Sequence, residues 1–292
     1  MMDLAEIRTF LAVLEGGSFV AAARLSNVTQ STVSARIKSL ETRLGVRLFI
    51  RTKARCDLTP AGSQFYRYAR SLARVWEEAK HQVAIPEGFT DTLIVGGQYS
   101  MWNRLLLQWV GMFRAAQPNV ALRCEVGMPQ RLLREMREGV MDIAVVYQPE
   151  YRPGFEVEEL FEDELILVAA MTASPLEESY VHIDWGPDFR EKHAAAFPNL
   201  PPPAVTLDLG ALGVNYVLGA DASAYFPRRI VAPFISAGRL HEIEGAPRYG
   251  YPAYAVYQEE FAAPIVMAVA LDTLRETAHK AANDELPPPF WR

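Results

Sequence analysis

The sequence predicts an α/β protein, preceded by a small helical module that ends in a hairpin and by one long helix. Two observations carry this. From residue 92 onward, short apolar runs alternate with helical segments, the pattern of a sheet covered by helices. Before that point the chain holds only short amphipathic helices, one basic hairpin and a long helical run over 60–84. A length of 292 residues also suits two or three domains better than one.

In the first module, Leu4, Ile7, Phe10, Leu11 and Leu14 give a helix that Gly16-Gly17 stops. Ser18 is a good N-cap for an alanine-rich second helix, "SFVAAARLS". "SNV" makes a tight turn, and Thr29 caps a third helix that Gly45 ends. In that third helix Val33, Ile37, Leu40 and Leu44 form one inward stripe, so Ser31, Ala35, Lys38 and Thr42 point outward. The following "VRLFIRTKARCDLT" sets β-type residues on both sides of a basic centre and reads as a small hairpin.

Thr59 and Pro60 open the long helix as N-cap and first residue. Phe65, Ala69, Leu72, Trp76, Ala79 and Val83 repeat in steps of four and three, a seam with heptad spacing. A partner chain is the expected cover, with packing on the preceding module as the alternative. "PEGFTD" (86–91) is the linker. Beyond it, "TLIVGG", "DIAVVY", "LILVAA", "YVHID", "AVTLD" and "YAVY" suit buried parallel strands. "SMWNRLLLQWVGMFRAA", "PQRLLREMREG" and "APIVMAVALDTLRETAHKAA" are helical, and the proline-rich tail "DELPPPFWR" is not.

Net charge is −6, yet residues 1–60 hold nine basic and five acidic residues, and from Arg24 to Arg55 the count is eight to one. A basic end on an acidic body fits a polyanion-binding module joined to a domain with other business; an unevenly charged enzyme surface is the alternative. No run is long and uncharged enough to span a membrane. The start "MMDLAEIRTF" lacks the basic end and apolar core of a secretory signal, and two cysteines without CxxC spacing suit a reducing cytoplasm. The chain contains no GxGxxG, P-loop, HExxH or GxSxG, and its five histidines show no metal-like spacing, so neither enzyme chemistry nor a metal or cofactor is expected.

"SFVAAARLSNVTQSTVSARIKSLETRLGVRLFIRTKARCDLTPAG" (18–62) resembles the LysR-type transcriptional regulators. The pattern runs from Ala-Ala through Gln-Ser, Val-Ser-x-x-Ile-x-x-Leu-Glu and Leu-Gly-x-x-Leu-Phe-x-Arg to Leu-Thr-x-x-Gly. "FRAAQPNVALRCEVG" and "LLREMREGVMDIAVVY" look like the first half of that family's effector domain. "GADASAYFP" (219–227) and "HIDWGPDF" (182–189) depart from the common pattern and look like the branch that includes repressors of flagellar genes. The resemblance implies a winged helix-turn-helix over 1–59, a linker and dimerisation helix over 60–90, and a two-lobed periplasmic-binding-protein-like effector domain over 91–292. Its first lobe is expected at 91–165 and 259–292, its second at 166–258. Double-stranded DNA, a small-molecule effector, RNA polymerase and a homodimer through 60–84, assembling to a homotetramer, are the implied partners. A cytoplasmic ligand-binding protein or enzyme with an appended DNA-binding module is the alternative.

By this resemblance Gln30, Ser31, Ser34 and Ala35 approach base edges. Glutamine pairs with adenine, serine donates or accepts, and Ala35 offers only a methyl contact. Arg36 and Lys38 are expected on phosphates, and Arg51, Lys53 and Arg55 on the neighbouring backbone or minor groove. Effectors of two-lobed α/β domains sit at the carboxyl ends of strands and the starts of helices. "LIVGGQYSMWNR" crosses such a point, with Ser100 expected to cap a helix from Met101 and to hold a carboxylate. Tyr99, Ser100, Met101 and Trp102 are the first candidates, then Gly127, Met128 and Tyr147. From the second lobe come Asp184, Trp185, Gly186, Phe189, Gly210, Ser223 and Tyr225. So aromatic a set suggests a small, aromatic carboxylate; the alternative for Trp102, Trp185 and Phe189 is that they fill the lobes. Asp184 would either select a ligand donor or cap the next helix.

Overall fold

The computed structural model describes residues 3–51, 56–83, 85–149, 154–170, 176–259 and 264–283. The chain divides into two compact units, Met1–Ala84 with Arg137–Val140, and Ile85–Met136 with Met141–Arg292. No helix among the described residues is long and apolar enough to cross a membrane.

In the first unit α1 (Leu4–Gly16) opens with a capping box: Asp3 accepts from the Ala5 amide while Glu6 reaches back to the Asp3 amide. The Ser18 hydroxyl caps α2 (Phe19–Leu25), and Thr29 caps α3 (Gln30–Leu44), which stops at Gly45 in the left-handed region, φ +68°. The turn between α2 and α3 holds Asn27 at φ +51°. β1 (Phe49–Arg51) and β2 (Cys56–Leu58) pair antiparallel as the wing, and α4 (Pro60–Val83) follows. Phe10 anchors the core, its ring centroid 5.1 Å from Phe49 and 5.0 Å from Phe65, so one side chain ties α1 to the wing and to α4.

Two expectations change here. Val33, Ile37 and Leu40 are buried, but Leu44 is exposed because Gly45 turns the chain away at the helix end. The α4 seam is not a single face either. Phe65 and Ala69 pack on the unit's own core, and Ala73 and Glu77 continue that buried stripe in steps of four, with Arg8 paired to Glu77. A helix of 3.6 residues per turn drifts against a heptad repeat. Leu72, Trp76, Ala79 and Val83 therefore turn out to solvent, beside exposed Tyr68 and Val75.

The second unit begins with β3 (Asp91–Gly97). Helix α5 (Tyr99–Met101) runs through a π-helical turn, Trp102–Leu106, into α6 (Leu107–Ala116). β4 (Val120–Val126), α7 (Pro129–Arg137), β5 (Ile143–Tyr147), β6 (Phe155–Phe161), β7 (Glu164–Ala170) and α8 (Leu176–Ser179) come next. They are followed by β8 (Val181–Ile183), α9 (Pro187–Ala196), β9 (Val205–Leu207), a 3-10 turn at Gly210–Leu212 and α10 (Gly213–Gly219). β10 (Ser223–Pro227), α11 (Arg228–Ser236), β11 (Leu240–Glu242), β12 (Tyr249–Gly250), β13 (Ala253–Gln258) and α12 (Pro264–Ala282) complete it.

One sheet has the order β4-β3-β5-β13-β6, a second is built on β7, paired with β10, β11 and β12, and β8 and β9 form a small two-stranded sheet. The first of these marks one lobe and the other two lie in the second, and the chain crosses between the lobes twice, after β6 and before β13. Among the described strands, β3 with β4 and β5, and β8 with β9, run parallel. "LILVAA" and "YAVY" run antiparallel to their neighbours, against expectation. A continuous apolar run reports cover on both faces, and cover does not depend on strand direction. The lobe boundary moves as well: β13 hydrogen-bonds β5 and β6, so 253–258 belongs to the first lobe, not the second. β10, whose five residues are all buried, was not among the expected strands, nor were β4, β6, β11 and β12. Trp109 locks α12 over this sheet by donating to the Ala270 carbonyl (3.1 Å) and the Thr273 hydroxyl (3.0 Å).

Candidate functional site

On α3 the outward residues are those the helical spacing selects. Gln30, Ser31, Ala35 and Lys38 are exposed and Ser34 is half-buried. Cap chemistry orders the start of this face: the Thr29 hydroxyl lies 2.8 Å from both the Ser31 and Thr32 hydroxyls and accepts from the Thr32 amide. Arg36, expected on a phosphate, makes a contact within the unit. It is half-buried and donates to the Thr9 hydroxyl of α1 (3.3 Å). Arg43 likewise pairs inward with Glu6 (3.5 Å). Arg51 lies in β1, and its side chain, with Lys53 and Arg55, lies outside the described residues.

In the second unit the carboxyl ends of β3, β4 and β5 meet the start of α5. Gln98, not Ser100, holds the N-cap position. Its side chain spans to the neighbouring strand, accepting from the Tyr147 amide (2.6 Å), while its own amide donates to the Val145 carbonyl (3.2 Å). Ser100 is a first-turn residue, 4% exposed, and Met101 is fully buried. Tyr99 and Met128 are exposed beside them. Trp102 is a strut that donates to the carbonyls of Gly97 (3.1 Å) and Glu125 (3.0 Å) and so ties the ends of β3 and β4. Gly127 closes the same edge through its amide to the Gly97 carbonyl.

Facing this edge, the 3-10 turn that Gly210 opens comes against α5. Gly186 approaches more closely still. Its φ is +107°, and a Cβ there would collide with Gln148 Oε1 of the first lobe, so only glycine fits. Asp184 is engaged at the start of α9: it accepts from the Gly186 amide (2.9 Å) and pairs with Arg190. Trp185 donates to the Tyr225 carbonyl (2.8 Å) and meets Tyr251 edge-on.

Phe189, Ser223 and Tyr225 stand elsewhere, in the interior of the second lobe. Phe189 packs among His182, His193, Tyr225 and Tyr249. Ser223 bonds the Ser179 hydroxyl, and the Tyr225 hydroxyl donates to the Pro247 carbonyl (2.9 Å). Burial in this cluster pushes the His193 imidazole down to about 4.

Tyr147 is a further displaced candidate. It is 2% exposed and its hydroxyl is already bonded to Asp163 (3.2 Å) and Arg229 (3.1 Å). Arg229 also pairs with Asp163 (3.3 Å) and approaches Met101 Sδ. Tyr251, on the second crossover, stacks on Tyr147 at 4.0 Å and donates its amide to the Asp163 carbonyl of the first (2.7 Å). Both crossovers and both lobes therefore meet in one buried polar knot. Burial raises the Tyr147 phenol well above its ordinary range. Gln98, Gln148, Asp163 and Arg229 were missed at the level of sequence. Gln98 at least adjoins the quoted strand end, whereas Arg229 in "PRRI" looks like any surface arginine.

Residues 4–63 match the model described as the bacterial regulatory helix-turn-helix protein, lysR family, and residues 86–279 match the LysR substrate binding domain. The HTH-type transcriptional regulator HdfR of Salmonella schwarzengrund is 28% identical over 260 residues, 88% of this chain and 92% of that protein. Among solved structures, ArgP from Mycobacterium tuberculosis has a TM-score of 0.56 at 25% identity, covering 95% of this chain and 98% of its own. Full-length LysG from Corynebacterium glutamicum with bound effector Arg has a TM-score of 0.56 at 20% identity, covering 96% and 99%.

Proposed function

Because the chain belongs to the LysR family, and is a DNA-binding transcriptional regulator with an effector-binding domain, we propose that it reads a palindromic operator as paired dimers and responds to a small carboxylate held between its lobes. The observation that carries the DNA half is the outward face of α3, where Gln30, Ser31 and Ala35 stand exposed at the end of the helix that enters a major groove. Lys38 and the wing supply phosphate contacts, while Arg36 holds α3 on α1. The exposed α4 residues Leu72, Val75, Trp76 and Val83 support dimerisation through 60–84, and pairs of such dimers form the tetramer that places four wings on DNA. RNA polymerase is the partner through which bound protein acts on transcription.

For the effector half, Tyr99, Ser100, Met128, Gly186 and Gly210 remain the candidates for the cleft. The first-turn amides of α5 suit a carboxylate. The structure of LysG has arginine as its bound effector, a molecule that carries such a group. Genome-wide mapping of bound DNA tests the reading. Wild-type sites should share an inverted repeat. Gln30→Ala should cost about 1–3 kcal/mol at one base pair and relax its preference. Equal losses on selected and random DNA would refute the base-reading role.

A further inference from the structure

Glu41 is the sole acid between Arg24 and Arg55, and it stands on the helix whose outer face reads DNA. A carboxylate there should repel phosphate. Its geometry indicates a different use. One oxygen, Oε1, accepts from two successive backbone amides, Leu48 at 2.8 Å and Phe49 at 3.3 Å. Those amides belong to the residue just before β1 and to the first residue of β1, the root of the wing. The same segment is held from its other side by Thr59, the N-cap of α4. The Thr59 amide donates to the Leu48 carbonyl (2.9 Å), and its hydroxyl donates to the Arg47 carbonyl (2.7 Å).

We propose that Glu41 is the positioning residue that sets the wing relative to the recognition helix, so that wing and helix meet one DNA duplex in register. Charge-assisted bonds to two neighbouring amides fix both the direction and the spacing of the chain leaving α3. Leu48 lies seven positions after Glu41, and Gly45 turns the path between them. The tether crosses that turn and removes its freedom. Thr59 fixes the wing root to α4, apolar packing of Leu48 and Phe49 joins it to the shared core, and Glu41 adds the directional polar link to α3. The carboxylate's charge is spent on the amides and offers less repulsion to phosphate than its position suggests.

The test separates a tether from a simple negative charge, because the two give opposite signs. A labelled duplex selected from a random pool by the wild-type protein is titrated with full-length Glu41→Ala and Glu41→Gln by fluorescence anisotropy over a salt series. Loss of the tether in Glu41→Ala should weaken binding about tenfold and reduce the magnitude of the log K against log salt slope by about 1–2, the loss of one or two wing phosphate contacts. Glu41→Gln keeps an acceptor oxygen in place and should recover most of the affinity and the slope. Tighter binding by both variants overturns the proposal, since that is what removing a repulsive charge does. An unchanged slope in Glu41→Ala overturns it as well. Should Glu41→Ala fail to fold, Glu41→Gln decides alone: binding and slope near wild type support the tether, and gain of affinity refutes it.

Discussion

Substituting Asp163 by alanine removes the carboxylate that the Arg229 guanidinium meets in the interior between the two lobes. The two side chains are only 5% and 9% exposed and lie 3.3 Å apart. Breaking a buried pair from one side costs about 3–5 kcal/mol, because the remaining charge loses the carboxylate facing it without regaining water. Replacing both members by apolar side chains removes that penalty, so Asp163→Ala/Arg229→Met should be far more stable than the sum of its parts, with a coupling of about 2–3 kcal/mol. Urea unfolding followed by tryptophan fluorescence suits the measurement, since Trp102, Trp109 and Trp185 all lie in this unit. The midpoint of Asp163→Ala should fall by about 1 M or more. A cost below about 1 kcal/mol, or strict additivity in the double variant, would show that the knot does not hold the lobes.

Three other outcomes follow from the packing. Gly186→Ala should cost about 1–3 kcal/mol through backbone strain at φ +107° and the clash with Gln148; adding Gln148→Ala should return only the steric part of the lost thermal stability. His193 binds a proton more weakly folded than unfolded, because burial lowers it to about 4. The stability it contributes is complete above the ordinary histidine value of about 6.5 and is lost as pH falls from there toward 4. His193→Phe should flatten urea midpoints over that window, and an unchanged pH profile would count against the buried neutral ring. Leu72→Glu, on the exposed side of α4, should shift the protein to monomer in sedimentation velocity while leaving its circular dichroism intact.

The first unit was almost wholly legible because its signals are local. Ser18, Thr29 and Thr59 cap their helices as read, and Gly45 ends α3. Each acts within four residues, where sequence spacing and spatial contact coincide. Leu44 and the α4 seam misled because periodicity states which residues share a face and not how far the cover extends. In the second unit, local chemistry gave the strand ends but not their partners. Tyr147, expected as a ligand contact, instead has its hydroxyl bonded to Asp163 and Arg229, 16 and 82 residues away. Ser223 and Tyr225 sit at a strand that the sequence did not announce, so their inward orientation could not be read. Asp184 had two readings, and its bonds to Gly186 and Arg190 place it at the helix start.

Gly62 of α4 leaves no room for a side chain: a Cβ there would overlap the Leu48 carbonyl oxygen and come within 2.8 Å of Leu58 Cδ2. Helix and hairpin are meshed like gears without backlash. Rotation of the first turn of α4 therefore presses directly on the wing root, because no side chain lies between Gly62 and the Leu48 carbonyl. The twist imposed on that helix from outside is therefore also the pitch at which the hairpin is offered to the double helix.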